Sequence, residues 1–290
     1  MASNMSRRIA FAVVAIPAVF GIAFLGGWAL TALLAVAGAL GAREIYDFAR
    51  KQGIEPLGRL GMLGAALAPV GLATTMFMAG RGPELIRNGY LFLLWFLALL
   101  AVALVRRGPG GRPLSAVAIT VFGAMYASWL LAFALVLRHP HYTPGLNDAT
   151  IGMAMLFYPL VLTWVGDSLA MTGGRTFGGP KMAPVISPNK TWSGGASGLF
   201  GSVALSLIYA ALVFKRVGVT VSIAEALLMG VVISVAGQVG DVAESLFKRE
   251  VGVKDSSALI PGHGGVVDRL DSLYFVLPVT ALLYKLLGLV

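Results

Sequence analysis

The residues best suited to chemistry are acidic side chains inside or beside long apolar stretches. In GQVGDVAESLFKRE (residues 237–250), Asp241, Glu244 and Lys248 fall on one helical face because 3.6 residues make a turn. A carboxylate within a membrane span costs about 2.5–3.5 kcal/mol, so it usually pairs, binds an ion or lines a cavity. An ion pair between Glu244 and Lys248 would need no ligand, but it leaves Asp241 unpaired. Asp241 is therefore a candidate metal ligand.

A second acidic pair, Asp268 and Asp271, lies in HGGVVDRLD (residues 263–271) at the start of the last apolar stretch. Helix capping is the alternative explanation, although one aspartate is enough for that role. With Asp241, these residues supply hard oxygen ligands at the ends of two adjacent spans. Because the chain has no cysteine and His263 is the only nearby imidazole, Mg²⁺ or Mn²⁺ is favoured over zinc. Mg²⁺ often completes its coordination with substrate phosphates, which indicates a nucleotide or pyrophosphate substrate.

A basic, glycine-rich segment covers residues 173–198 and carries Arg175, Lys181 and Lys190. Glycines let backbone N–H groups approach phosphate, and the next helix adds the positive end of its dipole. An ordinary positively charged loop is the alternative, since the segment has no P-loop motif. The hydroxyl and amide donors of this segment are Ser187, Asn189, Thr191 and Ser193.

Two isolated residues complete the candidate site. Asp167, in TWVGDSLAMTGG, lies near the end of another apolar stretch; the alternative is an interfacial residue or a hydrogen-bond acceptor at a helix end. His263 could lie in an exposed turn. Its position beside two aspartates and Arg269 favours a contact with substrate.

The composition indicates that this chain folds in a lipid bilayer. Of its 290 residues, 58% are hydrophobic and only 12% are charged, whereas soluble domains carry about 25% charged residues. The sequence therefore predicts an all-α, polytopic integral membrane protein. In a membrane protein, Lys and Arg residues mainly determine how the chain is oriented in the bilayer. The net charge of +9 is therefore explained without a nucleic-acid partner, and none is expected.

Spans of about 20 apolar residues predict about nine transmembrane helices. The segments that face the cytoplasm when the N-terminus is cytoplasmic hold most of the 22 Lys and Arg residues, which favours that orientation. The spans predicted within residues 1–150 consist mainly of Ala, Leu, Val and Gly, with charges only at their ends and in loops. We interpret them as a scaffold with dimer contacts. Polar groups enter the spans in residues 151–290, interpreted as the catalytic region. The predicted spans are 8–26, 28–46, 60–79, 89–105, 113–137, 151–172, 195–214, 222–247 and 270–290, and a helical hairpin could turn at Gly26-Gly27.

Several motifs together resemble a known family. SLFKR at residues 245–249, KD at 254–255 and PGHGGVVDRLD at 261–271 are similar to the signature of phosphatidate cytidylyltransferases, the CDP-diacylglycerol synthases. SPNKTW at 187–192 and GDVAES at 240–245 resemble other blocks of that family. The resemblance is specific over residues 165–271. It departs from the family pattern at residues 169–171 and at Ser193, and the roles of those positions are left open.

The resemblance implies the reaction of CTP with phosphatidic acid to give CDP-diacylglycerol and pyrophosphate, with Mg²⁺ required. It suggests a homodimer in the cell membrane, with the site facing the cytoplasm, and leaves open whether a second, monovalent cation assists. Asp241 and Asp268 would bind the metal, and Asp271 would be a ligand or hold a water. His263 would position substrate. The implied phosphate and nucleotide contacts are Lys248, Arg249, Lys254, Arg269, Ser187, Asn189, Lys190 and Thr191, with Asp167 and Glu244 also beside the substrate.

Two other functions compete with this interpretation. Another Mg²⁺-dependent membrane enzyme could act on a lipid phosphate, but the Asp-Gly-x-x-Ala-Arg block of enzymes that join a CDP-activated lipid to an alcohol is absent. A cation-coupled transporter also uses carboxylates within its spans. Such transporters tend to place charges near the bilayer midplane in two related halves. Here the charges gather at one predicted face and no internal repeat is evident.

Overall fold

A computed structural model describes residues 2–78, 89–140, 149–260, 262 and 264–289, with side chains described from residue 13 onward. This part of the chain is almost wholly helical, so the predicted all-α membrane architecture is confirmed in outline. One β-hairpin, which the sequence did not predict, interrupts the helices. The helices are α1 Ala2–Leu25, α2 Gly27–Lys51, α3 Gly58–Phe77, α4 Tyr90–Arg106, α5 Pro113–Ala124, α6 Leu130–Arg138, α7 Ala149–Phe177, α8 Trp192–Tyr209, α9 Ile223–Glu250, α10 Val266–Leu270 and α11 Leu273–Leu286; the strands are β1 Lys181–Ala183 and β2 Ser187–Thr191.

The described residues support a membrane protein with several spans, and the number nine stays a prediction. Within the described residues, six helical segments have the required length and hydropathy. Helix α1 runs from Ala2 to Leu25 and is apolar over Val13–Leu25, while Tyr90–Arg106 is a shorter apolar helix of 17 residues. The predicted last span, 270–290, contains the 14-residue helix α11, which is about 21 Å long against a hydrocarbon core of about 30 Å. The six long segments are Gly27–Lys51, Gly58–Phe77, Pro109–Arg138, Ala149–Phe177, Trp192–Val217 and Ile223–Glu250.

The predicted turn at Gly26-Gly27 is where the first two helices separate. Helix α1 ends at Leu25, and Gly26 adopts φ 62° and ψ −147°, a conformation that is essentially restricted to glycine. Gly27 also has a positive φ of 49°. The glycine pair therefore sets the boundary between α1 and α2.

The chain forms two compact units. The first contains Met1–Leu135 together with Glu250–Leu270, and the second contains Val136–Arg249 together with Asp271–Val290. The predicted division of roles between residues 1–150 and 151–290 stays a prediction.

The core of the first unit forms where α2, α3 and α5 pack together. Tyr46 on α2 is fully buried, and its hydroxyl donates to the Thr120 carbonyl oxygen at 2.8 Å. Glycines at positions 61 and 123 leave room for the Tyr46 ring, because a Cβ at either position would overlap it. Trp95 on α4 donates from its indole nitrogen to the Leu60 carbonyl oxygen at 2.8 Å.

The core of the second unit is rich in buried tyrosine. The rings of Tyr158, Tyr209 and Tyr284 pack around Phe214 with centroid distances of 5.0–6.4 Å. Each hydroxyl has a partner, as buried tyrosines require. Tyr158 pairs with Ser206 at 2.6 Å, while Tyr209 and Tyr284 donate to carbonyl oxygens of α7. This core holds α7, α8 and α11 together, and these helices carry or flank several predicted site residues.

Candidate active site

Three aspartates of the second unit form an acidic cluster: Asp167 on α7, Asp241 on α9, and Asp271 immediately before α11. The Asp241 carboxylate repels those of both Asp167 and Asp271 electrostatically. Gly240 allows the approach, because a Cβ at that position would lie only 2.8 Å from the Asp271 carbonyl oxygen. The structure thus brings together two of the predicted metal ligands and the predicted Asp167.

Lys190 on β2 neutralises part of this acidic cluster. Its Nζ lies 2.7 Å from Asp241 Oδ2, and its charge also attracts Asp167 and Asp271. The Lys190 and Asp241 side chains are 24% and 34% exposed, so the ion pair is partly sheltered from water. The sequence singled out both residues without predicting that they would contact each other.

Glu244 and Lys248 form the ion pair that was the alternative to a ligand role. Lys248 Nζ lies 2.7 Å from Glu244 Oε2, one helical turn apart on α9. The Lys248 side chain is 12% exposed and the Glu244 side chain is 1% exposed. Lys248 also attracts Asp271 electrostatically, which places its charge beside the acidic cluster. Contacts of these two residues with substrate stay predictions.

The glycine-rich segment folds as a hairpin rather than as an open loop. Helix α7 continues to Phe177, β1 and β2 pair in antiparallel fashion, and α8 begins at Trp192. Thr191 caps α8: its Oγ1 accepts the Gly194 N–H at 3.2 Å, which satisfies one of the unpaired donors at a helix start.

The other predicted residues of the hairpin lie on its more accessible part. Ser187 is half-buried and Asn189 is exposed on β2. Arg249, an exposed residue near the end of α9, donates from Nε to the Ile186 carbonyl oxygen at 3.1 Å and so ties the hairpin to that helix. Gln238 on α9 similarly donates to the Gly195 carbonyl oxygen at 3.2 Å.

Residues 251–265, which we name the signature loop, belong to the first unit and lead into α10. Asp268 Oδ2 accepts from Ser256 N at 2.8 Å, Ser256 Oγ at 2.9 Å and Gly265 N at 2.7 Å. This carboxylate therefore does cap the start of α10, as the alternative interpretation proposed. Lys254 and Arg269 are exposed. His263 lies outside the described residues.

Sequence reasoning missed Glu44, a buried carboxylate near the end of α2 that is only 3% exposed. It accepts hydrogen bonds from Ser256 and Ser257 of the signature loop and from two backbone N–H groups of α10. One signal was available in the sequence. An acidic residue in the last turns of an apolar span needs a partner, and Glu44 satisfies that description as well as Asp167 does.

The donors of the acidic cluster suit a hard divalent cation. Its members offer carboxylate oxygens, and the carboxylates outnumber the lysines beside them, Lys190 and Lys248. Among the residues that the structure describes, no three His, Asp or Glu side chains already converge on one ion position. Asp268 belongs to the first unit and Asp241 and Asp271 to the second. The predicted set of three ligands, and Mg²⁺ itself, stay predictions.

Comparison with known proteins identifies the family. The model of the cytidylyltransferase family matches residues 6–287. A chloroplastic phosphatidate cytidylyltransferase of Arabidopsis thaliana is 30% identical over 296 aligned residues, which cover 94% of this chain and 70% of that protein. The phosphatidate cytidylyltransferases of Haemophilus influenzae and Brucella abortus are 41% and 37% identical, over 53% and 68% of this chain and 52% and 66% of their own lengths.

The match includes the acidic cluster, the hairpin and the signature loop. The resemblance inferred from the sequence motifs is confirmed, and so is the prediction of a nucleotidyltransferase. This membrane-embedded helical chain belongs to the cytidylyltransferase family.

Proposed function

We propose that this protein is a phosphatidate cytidylyltransferase, which converts CTP and phosphatidic acid into CDP-diacylglycerol and pyrophosphate in phospholipid synthesis. The observation that carries the proposal is the family match over residues 6–287, together with relatives named for this reaction. CTP and phosphatidic acid are accordingly the expected substrates.

The reaction calls mainly for charge neutralisation and alignment. A phosphate oxygen of phosphatidic acid attacks the α-phosphorus of CTP, the bond to the β-phosphate breaks, and pyrophosphate leaves with the bonding electrons. Both reactants are anionic, so positioned cationic groups lower the barrier by holding them in line. The attacking phosphate already carries charge, and no strong general base is required. His263 accordingly keeps its predicted role in positioning substrate.

The positive charges around the acidic cluster suit the two phosphate-bearing substrates. Lys190 lies on the hairpin beside Asp241, and Arg249 holds the same hairpin through Ile186. Ser187, Asn189 and Thr191 share the strand with Lys190, where hydroxyl and amide donors would contact the nucleotide. Lys254 and Arg269, both exposed, would neutralise phosphate from the signature loop and α10.

A divalent cation, Mg²⁺ or Mn²⁺, would be held by Asp241 and Asp271, with Asp268 contributing as the family signature implies. The bound cation would supply Lewis-acid neutralisation of the phosphate oxygens. With Asp241 engaged by such a cation, the Lys190 ammonium would be free to contact a substrate phosphate instead of that carboxylate. A second, monovalent cation is part of the same proposal.

The membrane arrangement that suits these substrates has nine spans with a cytoplasmic N-terminus. CTP is dissolved in the cytoplasm and phosphatidic acid lies in the leaflet, so the site would face the cytoplasm at the cell membrane. The excess of Lys and Arg in the segments predicted to be cytoplasmic supports this orientation. The arrangement also includes a homodimer that packs through the N-terminal helices.

The reaction is tested with the purified protein in detergent, supplied with CTP, phosphatidic acid and Mg²⁺, while both products are measured. Formation of CDP-diacylglycerol and pyrophosphate should require all three components. Asp241→Asn should remove at least about 99% of the activity, because it removes a charged ligand at the site of reaction. Asp47→Asn is the matched control, since Asp47 forms only an exposed ion pair with Arg50. An inactive wild-type protein that remains folded would refute the proposed reaction.

A further inference from the structure

We propose that Glu44 is a positioning residue that anchors the signature loop and thereby sets the place of Asp268. The role in catalysis rests on the proposed function; the anchoring rests on contacts within the first unit. Glu44 lies on α2, whereas the groups that it holds lie more than 200 residues later in the chain. The family motifs considered above do not include it.

The anchor consists of four hydrogen bonds to one carboxylate. Glu44 Oε1 accepts from Ser257 Oγ at 2.7 Å and from Val266 N at 2.9 Å. Its Oε2 accepts from Ser256 Oγ at 2.7 Å and from Val267 N at 2.9 Å. The two backbone donors belong to the first turn of α10, where N–H groups have no partner within the helix. Glu44 thus fixes the loop and the start of the helix together.

The arrangement specifically requires a carboxylate. An ionised carboxylate only accepts hydrogen bonds and has about four lone-pair positions, which match the four donors around Glu44. A glutamine amide offers one accepting oxygen, and its NH₂ group would face a backbone N–H that has nothing to accept with. Glu44→Gln therefore preserves size while it breaks the donor pattern.

Ser256 connects Glu44 directly to Asp268. The Ser256 hydroxyl lies 2.7 Å from Glu44 Oε2 and 2.9 Å from Asp268 Oδ2, so its single hydrogen is shared between two carboxylates. The Ser256 N–H also donates to Asp268 Oδ2 at 2.8 Å. Any shift of Ser256 away from Glu44 will therefore change the position of the Asp268 carboxylate.

The packing around the anchor is close at Gly265. A Cβ on Gly265 would overlap both the Ser256 hydroxyl and the Glu44 carboxylate. Glu44 and Ser256 are 3% and 7% exposed, so water does not readily replace the lost partners. A buried donor left without its acceptor is costly, which means that the loop opens when Glu44 is changed.

The experiment compares Glu44→Gln with Glu55→Gln, a control whose side chain is 55% exposed. Two quantities are measured on the full-length protein in detergent. The first is the rate of tryptic cleavage after the exposed Lys254, and the second is kcat and KM for CTP. One hydrogen bond to a charged acceptor is worth about tenfold in the opening equilibrium, so the loss of two should accelerate cleavage by roughly 100-fold.

The kinetic expectation follows from the displacement of Asp268. A shift of about 1 Å in a catalytic group can cost roughly 100-fold in rate, so kcat should fall by that order while KM for CTP changes by less than about threefold. Ser257→Ala removes one donor to Glu44, together with the exposed acceptor of the Leu259 N–H, and should accelerate cleavage by about tenfold. If Glu44→Gln does not fold, the cleavage rate of Ser257→Ala is compared with that of the wild type instead.

Wild-type cleavage and wild-type kcat in Glu44→Gln would overturn the proposal, as would equal changes in Glu55→Gln. Faster cleavage with an unchanged kcat would overturn the positioning role. If the wild-type protein itself makes no CDP-diacylglycerol, the proposed function fails, while the cleavage ratio between the two variants still decides whether Glu44 anchors the loop.

Discussion

Substitution of Lys248 by methionine should destabilise this protein far more than the loss of an ordinary lysine. Lys248→Met keeps the length and apolar packing of the side chain but removes the ammonium 2.7 Å from Glu244. The Glu244 side chain is 1% exposed, so its charge loses its ion-pair partner in a place that water does not reach. Breaking a buried pair in this way typically costs about 3–5 kcal/mol. For a chain of this size that corresponds to a fall in Tm of roughly 10 °C.

The matched variants separate the structural and catalytic roles of Lys248. Lys215→Met removes an exposed lysine and should change stability by less than about 0.5 kcal/mol. The double variant Glu244→Gln, Lys248→Met removes both charges and should recover most of the lost Tm. If Lys248 also binds substrate phosphate, the double variant will be stable and yet poor in kcat/KM for CTP. Thermal unfolding in detergent provides the measurement, and a Lys248→Met protein with the Tm of the wild type would refute the reasoning.

Three further predictions concern the hairpin, α10 and the metal. Thr191→Ala should lower the free energy of unfolding by about 1 kcal/mol, because it removes the cap of α8. Thr220→Ala, at an exposed position, is the control and should leave the free energy of unfolding unchanged. Equal Tm values for the two variants would argue against the cap. Gly265→Ala should lower Tm and abolish activity, because its methyl group collides with Glu44 and Ser256, and an active, stable variant would contradict this packing. Chelation should stop CDP-diacylglycerol synthesis and added Mg²⁺ should restore it; activity that persists in excess chelator would exclude the proposed cation.

Local patterns predicted much of the helical structure and of the acidic cluster. The 3.6-residue period placed Asp241, Glu244 and Lys248 on one face of a helix, and the Glu244–Lys248 pair forms one turn apart on α9. The glycine pair at 26 and 27 separated the first two helices as expected. These features depend on neighbours within a few residues, which is the range over which side-chain spacing carries information.

The parts that the sequence did not reveal depend on distant or cooperative contacts. The hairpin has too little apolar alternation for a strand signal, and its two short strands pair between the end of α7 and the start of α8. The predicted last span, 270–290, starts at the final residue of α10, and its own helix α11 covers only Leu273–Leu286. Glu44 was overlooked because its four hydrogen-bond donors lie more than 200 residues later in the sequence. The residues around position 44 do not indicate which segment will contact it.

The distance in sequence between Glu44 and its partners has a consequence for synthesis of the chain. Helix α2 leaves the ribosome with a carboxylate whose donors, residues 256–267, are more than 200 residues from being translated. Burial of an unpartnered charge in an apolar interior is costly, so this end of α2 should remain in contact with water until residues 256–267 have been translated. Docking of the signature loop onto α2 is then a late assembly step, and a chain truncated before residue 256 would keep the Glu44 carboxylate without its hydrogen-bond donors.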